Sequence, residues 1–149
     1  MALDKEKIIT YGDTLFDCLR NRTTIAPITE AESDISIEDA YHISLHLLQR
    51  RLDDGEKVIG KKIGVTSKAV QNMLGVHRPD FGFLTDRMVC ENGGEIAISS
   101  EMIQAKAEGE IAFILKHDLE GPGVTNADVL RSTECVLPCF EIVDSRITD

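Results

Sequence analysis

The hydrophobic pattern of this chain changes period at Asp53-Asp54-Gly55, and that change constrains the fold more than any other feature. Before it, apolar residues recur at helical spacing. Ile8, Leu15 and Leu19 predict a helix over residues 5–22, and Ala40, Ile43, Leu47 and Leu48 predict a second. Ser36 with Asp39 three residues on resembles a capping box, aspartate standing for glutamate, and Gly55 suits the position just past a helix. Between the helices, residues 23–29 read as an extended connection broken by Pro27. After Gly55 short apolar runs take over, bounded by glycine. VIGKKIGV predicts a buried strand over residues 58–65, and residues 83–90 and 95–98 predict strands around an Asn92-Gly93-Gly94 turn. AEGEIAFIL predicts another over 107–115, and residues 136–143 a last one.

Short helices punctuate the strands. Thr66 or Ser67 caps one through Leu74, closed by Gly75, and Thr125 with Asp128 begins another that ends near Thr133. Residues 77–82 and 117–124 read as loops. Helices first and strands later predict a mixed α/β protein, with an N-terminal helical region over residues 1–56 and a strand-rich body over 57–149. The last strand runs into DSRITD without a closing helix, so the strand-rich body is expected to be incomplete.

A chain of 149 residues is long enough for one domain with a core. Its formal charge of −10 argues against nucleic acid or an anionic membrane as partner, since both call for a basic surface. No window approaches the ~20 apolar residues of a membrane span, and MALDKEKIIT is not a secretory signal. Cys18, Cys90, Cys135 and Cys139 then read as reduced thiols of a cytoplasmic protein. Cys135-x3-Cys139 has no further Cys or His nearby to complete a zinc site. Phosphate-binding glycine loops, a nucleophile elbow and the H-E-x-x-H pattern are all missing, which leaves nucleotide enzymes and serine hydrolases unsupported.

The chemistry-bearing residues are few. Strand alternation sends Glu108 and Glu110 to one face, with Ala112 and Ile114, while Gly109, Ile111, Phe113 and Leu115 take the other. Two like charges there mean either a wet strand end or a cation between them. Glu141, set among apolar residues in CFEIVD, is the third candidate, because a lone buried carboxylate is costly. Three carboxylates would favour Mg²⁺ or Mn²⁺ over zinc. In GKKIG, Lys61 or Lys62 could meet an anionic substrate or an enolate, or could simply be a solvated lysine at a strand end. Asp80 in RPDFG is a further candidate for chemistry or simply a turn former, and His77 a loop histidine or a proton carrier.

Taken together, GKKIGVTSKAVQNMLGVHRPDFGFLTD, IQAKAEGEIAFIL, GPGVTNADVL and CVLPCFEIVDSRI closely resemble the 2-hydroxypenta-2,4-dienoate (2-oxopent-4-enoate) hydratases. These form part of the hydratase/decarboxylase branch of the fumarylacetoacetate hydrolase superfamily, and the resemblance extends over essentially the whole chain. It implies a divalent metal, Mg²⁺ or Mn²⁺, held by Glu108, Glu110 and Glu141, with Lys62 as the active-site lysine and Asp80 as the loop aspartate. It implies hydration of a small 2-hydroxy-dienoate, by way of its 2-oxo acid form, to 4-hydroxy-2-oxopentanoate in meta-cleavage degradation of aromatic compounds. Lys62 would face the substrate carboxylate or enolate, and Asp80 would orient Lys62 or relay a proton. The family also implies a homo-oligomer in the full-length form and association with a pathway enzyme. Two alternatives stand beside it: the sister 2-oxo-3-hexenedioate (4-oxalocrotonate) decarboxylase, and a truncated fragment that only docks to partners.

Overall fold

The structure, a computed structural model, describes residues 2–148. Helix α1 (Lys5–Asn21) begins where Asp4 accepts a hydrogen bond from Lys7 N at 2.8 Å, and ends at Arg22, which is left-handed at φ 54°. Helix α3 (Ile37–Asp53) begins at a complete capping box. Ser36 Oγ accepts from Asp39 N at 3.1 Å and Asp39 Oδ2 accepts from Ser36 N at 3.0 Å. Gly55, at φ 87°, takes the conformation that glycine adopts most cheaply past a helix end. Between these helices a single turn, α2 (Ile28–Ala31), follows Pro27 where the sequence predicted only extended chain. Proline fixes its own φ without needing an N–H partner, so it can open a helical turn as readily as it breaks a strand.

Helices α1 and α3 pack against each other and bury Phe16, Cys18 and Ile43. The guanidinium groups of Arg20 and Arg50 lie over the Phe16 ring, 4.9 and 4.7 Å from its centroid. Below them sits a buried polar knot. Glu56 accepts from Arg20 Nη2 at 2.8 Å, from Arg51 Nε at 2.7 Å and from Thr85 Oγ1 at 2.6 Å, while Arg51 Nη2 donates to Thr85 Oγ1 at 3.0 Å. Burial raises the carboxyl pKa of Glu56, but the bonds from Thr85, Arg20 and Arg51 outweigh it and hold the group below its ordinary value. The knot ties both helices to the strand that carries Thr85.

That strand is β2 (Asp80–Thr85), which pairs antiparallel with β1 (Val58–Gly64); α4 (Lys68–Leu74), capped by Ser67 and closed by Gly75, connects them. A second antiparallel pair follows the single turn α5 (Ile98–Glu101). It joins β3 (Lys106–Leu115) to β4 (Thr133–Val143) through α6 (Asn126–Ser132), whose capping box uses Thr125 and Asp128. The strands thus make two separate two-stranded ribbons. The end of β4 is strapped to the rest: Asp144 accepts from Ile103 N and Gln104 N, and Ile25 bridges to Ile147 in parallel.

The second half departs from the expected pattern in three places. Strand β2 begins at Asp80, inside the predicted loop, because Gly64 supplies a ladder partner for it. It stops at Thr85, where Asp86 leaves the ladder to exchange bonds with Lys57 and opens a 3₁₀ turn (Asp86–Met88). The Asn92-Gly93-Gly94 turn forms, closed by Gly94 N to Glu91 O at 2.8 Å, but with the first arm gone it joins no hairpin, and residues 95–98 run into α5. Strand β1 was expected to be buried, yet Ile59 is 55 % and Ile63 60 % exposed. Ile63 shares a ribbon face with Phe81, and a two-stranded ribbon is too narrow for its contact with α3 at Phe81 to cover the rest of that face.

Candidate metal centre

The register of β3 on β4 sets Glu108 directly opposite Glu141, and Glu110 opposite Cys139. All three glutamates therefore point from the same face of the ribbon. Each offers a carboxylate oxygen within 4.8 Å of the others. Like charges directly across a ladder repel, so this arrangement calls for positive charge at its centre. Part of that charge comes from the other ribbon: Lys62 Nζ is 2.7 Å from Glu141 Oε2 and 3.7 Å from Glu108 Oε2.

Two glycines explain how Lys62 reaches that position. It pairs with Gly82 across the β1–β2 ladder, and a Cβ on Gly82 would stand only 3.4 Å from Lys62 Cγ. Gly64 pairs with Asp80; a Cβ there would run into Asp80 Oδ1 and would lie 3.4 Å from Lys62 Nζ. The missing side chains are the space in which the lysine stem and the Asp80 carboxylate sit. The adjacent Lys61 takes the opposite face, with its Nζ 5.6 Å from the Phe83 ring centroid. On that face Phe81 stacks on Tyr41 of α3 at 4.8 Å and meets Phe83 edge-on at 5.9 Å, which anchors β2 to the helices behind it.

Partial burial works against the Lys62 ammonium, but the Glu141 hydrogen bond and the charges of Glu141, Glu108 and Asp80 more than offset it. Its pKa lies above the ordinary lysine value, so the group is cationic. Even so, the Lys62 ammonium lies among Glu108, Glu141 and Asp80, and Glu110 brings a further carboxylate to the cluster. A hard divalent cation fits this donor set, since every available ligand atom is a carboxylate oxygen.

The sequence-predicted site residues are thus largely brought together. Glu108, Glu110, Glu141, Lys62 and Asp80 converge, whereas His77 is exposed in the turn before β2. The four cysteines are free, and Cys135 and Cys139 are exposed on β4. The space made by Gly64 and Gly82 was missed; its one signal was a lysine flanked by glycines.

The chain is 66 % identical over 147 residues to a 2-hydroxypent-2,4-dienoate hydratase of Pseudomonas putida, and 60 % identical over 147 residues to a 2-hydroxyhexa-2,4-dienoate hydratase of Comamonas testosteroni. The chain belongs to the 2-hydroxypenta-2,4-dienoate hydratase family. These alignments use 99 % and 98 % of the chain, which spans 66 % and 56 % of the two relatives. Among solved structures, a 4-oxalocrotonate decarboxylase from Pseudomonas putida G7, complexed with magnesium and adipate, superposes with a TM-score of 0.90 at 31 % identity. That match covers 97 % of this chain and 55 % of the decarboxylase, and a second structure of the same enzyme holds calcium and acetate. The hydratase family fold is therefore of the fumarylacetoacetate hydrolase type seen in that decarboxylase. No protein-family model matches the chain.

Proposed function

We propose that the protein to which this chain belongs is a metal-dependent hydro-lyase. It converts 2-hydroxypenta-2,4-dienoate to 4-hydroxy-2-oxopentanoate in meta-cleavage degradation of aromatic compounds. The observation that carries this reading is the meeting of three carboxylates with the Lys62 ammonium, in a chain 66 % identical to a protein named for that hydration. Glu108, Glu110 and Glu141 would hold Mg²⁺ or Mn²⁺, which supplies Lewis acidity at the substrate's C2 oxygen.

The chain's own residues do the rest. Lys62 presents a fixed positive charge to the substrate carboxylate and to the negative charge that develops on the C2 oxygen. Glu141 holds that ammonium most strongly, and Asp80, placed beside Lys62 by the Gly64 rung, adds to the negative charge around it. The C2 hydroxyl gives up its proton and one is added at C5, giving the isomeric 2-oxo-3-enoate, and water then adds across C3 and C4 with its oxygen on C4. The product carries one water more than the substrate, and no redox partner is needed. Cytoplasmic small-molecule metabolism suits these assignments, and the helices of the described residues include none long and apolar enough to cross a membrane.

The test follows loss of the dienol ultraviolet band in the whole protein with Mg²⁺ and with EDTA, and identifies the product by NMR. Metal-dependent formation of the hydroxy-keto acid is expected. The structural likeness to 4-oxalocrotonate decarboxylase supports a second reading, in which the same residues assist loss of CO₂. Release of CO₂ from a six-carbon 2-oxo diacid, without hydration of the dienoate, would establish that reading instead.

A further inference from the structure

Strand β1 ends at Gly64, and the residue after it takes a conformation that valine rarely adopts. Val65 has φ 55°, in the left-handed region, where its branched side chain crowds the backbone. Such a residue stays there only when its surroundings hold it. The holder is visible. Gln71 of α4 is 2 % exposed, and its Nε2 donates to Val65 O at 2.9 Å. Its Oε1 accepts from Lys68 Nζ at 2.9 Å, its N donates to Ser67 O at 3.0 Å, and its carbonyl accepts from Val76 N at 2.9 Å. A buried carboxamide with both ends committed thus ties the strained residue to the helix that follows.

The position of this clamp gives it a consequence. Val65 directly follows the last rung of the β1–β2 ladder, where Gly64 faces Asp80, and Lys62 is the next residue on the same face of β1. If Val65 relaxed to negative φ, the chain would leave the ladder in another direction, and that terminal rung has no further pair beyond it to hold it. We infer that Gln71 is a positioning residue: by clamping Val65 in the left-handed conformation it fixes the Gly64–Asp80 rung and hence the placement of Lys62 and Asp80 against the carboxylates. The inference rests on the proposed hydration for its kinetic readout but not for its structural one.

The experiment pairs two substitutions in the whole protein. Gln71→Met keeps the side-chain length and removes the clamp, while Val65→Gly makes the left-handed conformation free and the clamp unnecessary. With Mg²⁺ present, Gln71→Met should lower kcat about tenfold while KM and Mn²⁺ affinity stay within about twofold. Val65→Gly alone should keep kcat, and Val65→Gly added to Gln71→Met should restore it to within about threefold of the parent. The second readout is the Nζ resonance of Lys62, assigned by its loss in Lys62→Met. It should move in Gln71→Met and return in the double variant. A Gln71→Met protein that loses thermal stability alone, with kcat and the Lys62 resonance unmoved, overturns the inference. So does a double variant that recovers neither. Should Gln71→Met fail to fold, the double variant decides by the same two readouts. If the parent does not hydrate the dienoate, the proposed function fails, and the Lys62 resonance series still decides the role of Gln71.

Discussion

The two clusters of charge in this molecule are built from the same residue types and come out differently. In the knot beneath α1 and α3, Glu56 meets Arg20, Arg51 and the Thr85 hydroxyl, and Arg20 also bonds Asp54, so each carboxylate has a guanidinium partner. In the cluster on the β3–β4 ribbon, Glu108 and Glu141 share Lys62 with Asp80, and Glu110 stands beside them with a further carboxylate. The centre of the knot is covered, the Glu56 side chain fully so, with Arg20 and Asp54 at its rim; in the ribbon cluster Glu108 keeps 49 % of its side chain exposed. A neutralised network around a covered carboxylate is a structural tie, whereas an open group of carboxylates is a place to bind a cation. The same reasoning separates their sensitivities: the knot answers to folding, the ribbon cluster to ligand.

The largest effect should come from Glu141→Gln. It removes the carboxylate that both faces Glu108 and holds Lys62, so Mn²⁺ affinity should fall by at least the roughly hundredfold that loss of an outer-shell partner costs a metal site. Dienoate turnover should go with it, while the melting temperature stays close to that of the parent. Titration followed by electron paramagnetic resonance checks this, and undiminished Mn²⁺ binding would remove the distinction between the clusters.

Glu56→Gln should do the reverse. Breaking one partner out of a buried ion pair leaves the other charge stranded, at a cost of about 3–5 kcal/mol in unfolding free energy. Mn²⁺ affinity should not change. The pH dependence follows from the lowered folded-state pKa of Glu56. Its contribution is fully present above the unfolded value near 4.5 and is lost as pH falls through the lower folded value. Urea midpoints taken between about pH 3 and pH 6 should therefore fall more steeply in the parent than in Glu56→Gln; equal slopes would mean that Glu56 carries no such linkage.

Lys62→Met sharpens the comparison from inside the ribbon cluster. The ammonium competes for the same carboxylates as a metal, so its loss should leave Mn²⁺ binding as strong as before or stronger. Turnover should fall about a hundredfold, the scale seen when one group that stabilises developing charge is removed. A Lys62→Met protein with normal kcat would take the lysine out of the mechanism.

The sequence was legible where the cause is local. Ser36, Ser67 and Thr125 cap the helices that follow them, because the bond spans three residues and needs no tertiary partner. Alternation alone put Glu108 and Glu110 on one face. What it could not give is the register that places Glu141 opposite Glu108, since that pairing joins distant segments and a one-residue slip would turn the glutamate away. The cost of a lone buried carboxylate had already nominated Glu141, and the family resemblance chose Lys62 over Lys61. Nothing in the pattern announced the knot, because Arg20, Arg51 and Glu56 read singly as surface charge. The strand predicted at residues 95–98 failed for the complementary reason: its turn formed, but its partner had already left at Thr85.

The smallest effect compares one device in both regions. Ser36 with Asp39 and Thr125 with Asp128 make the same reciprocal cap, the first on α3 beside the helical core and the second on α6 at the ribbon. Asp39 is 2 % exposed, and its other oxygen accepts from Leu3 N at 3.0 Å, so the Ser36 cap also pins the chain that leads into α1. The Asp128 carboxylate instead turns outward to Arg131, whose side chain is 73 % exposed. Water can replace a lost partner at the second cap more readily than at the first. Ser36→Ala should lower the melting temperature by about 3 °C and Thr125→Ala by about 1 °C, both without loss of Mn²⁺ binding. Equal shifts would show that the α6 cap is as deeply committed to the fold as the α3 cap, and that the ribbon is less loosely held than its exposure implies.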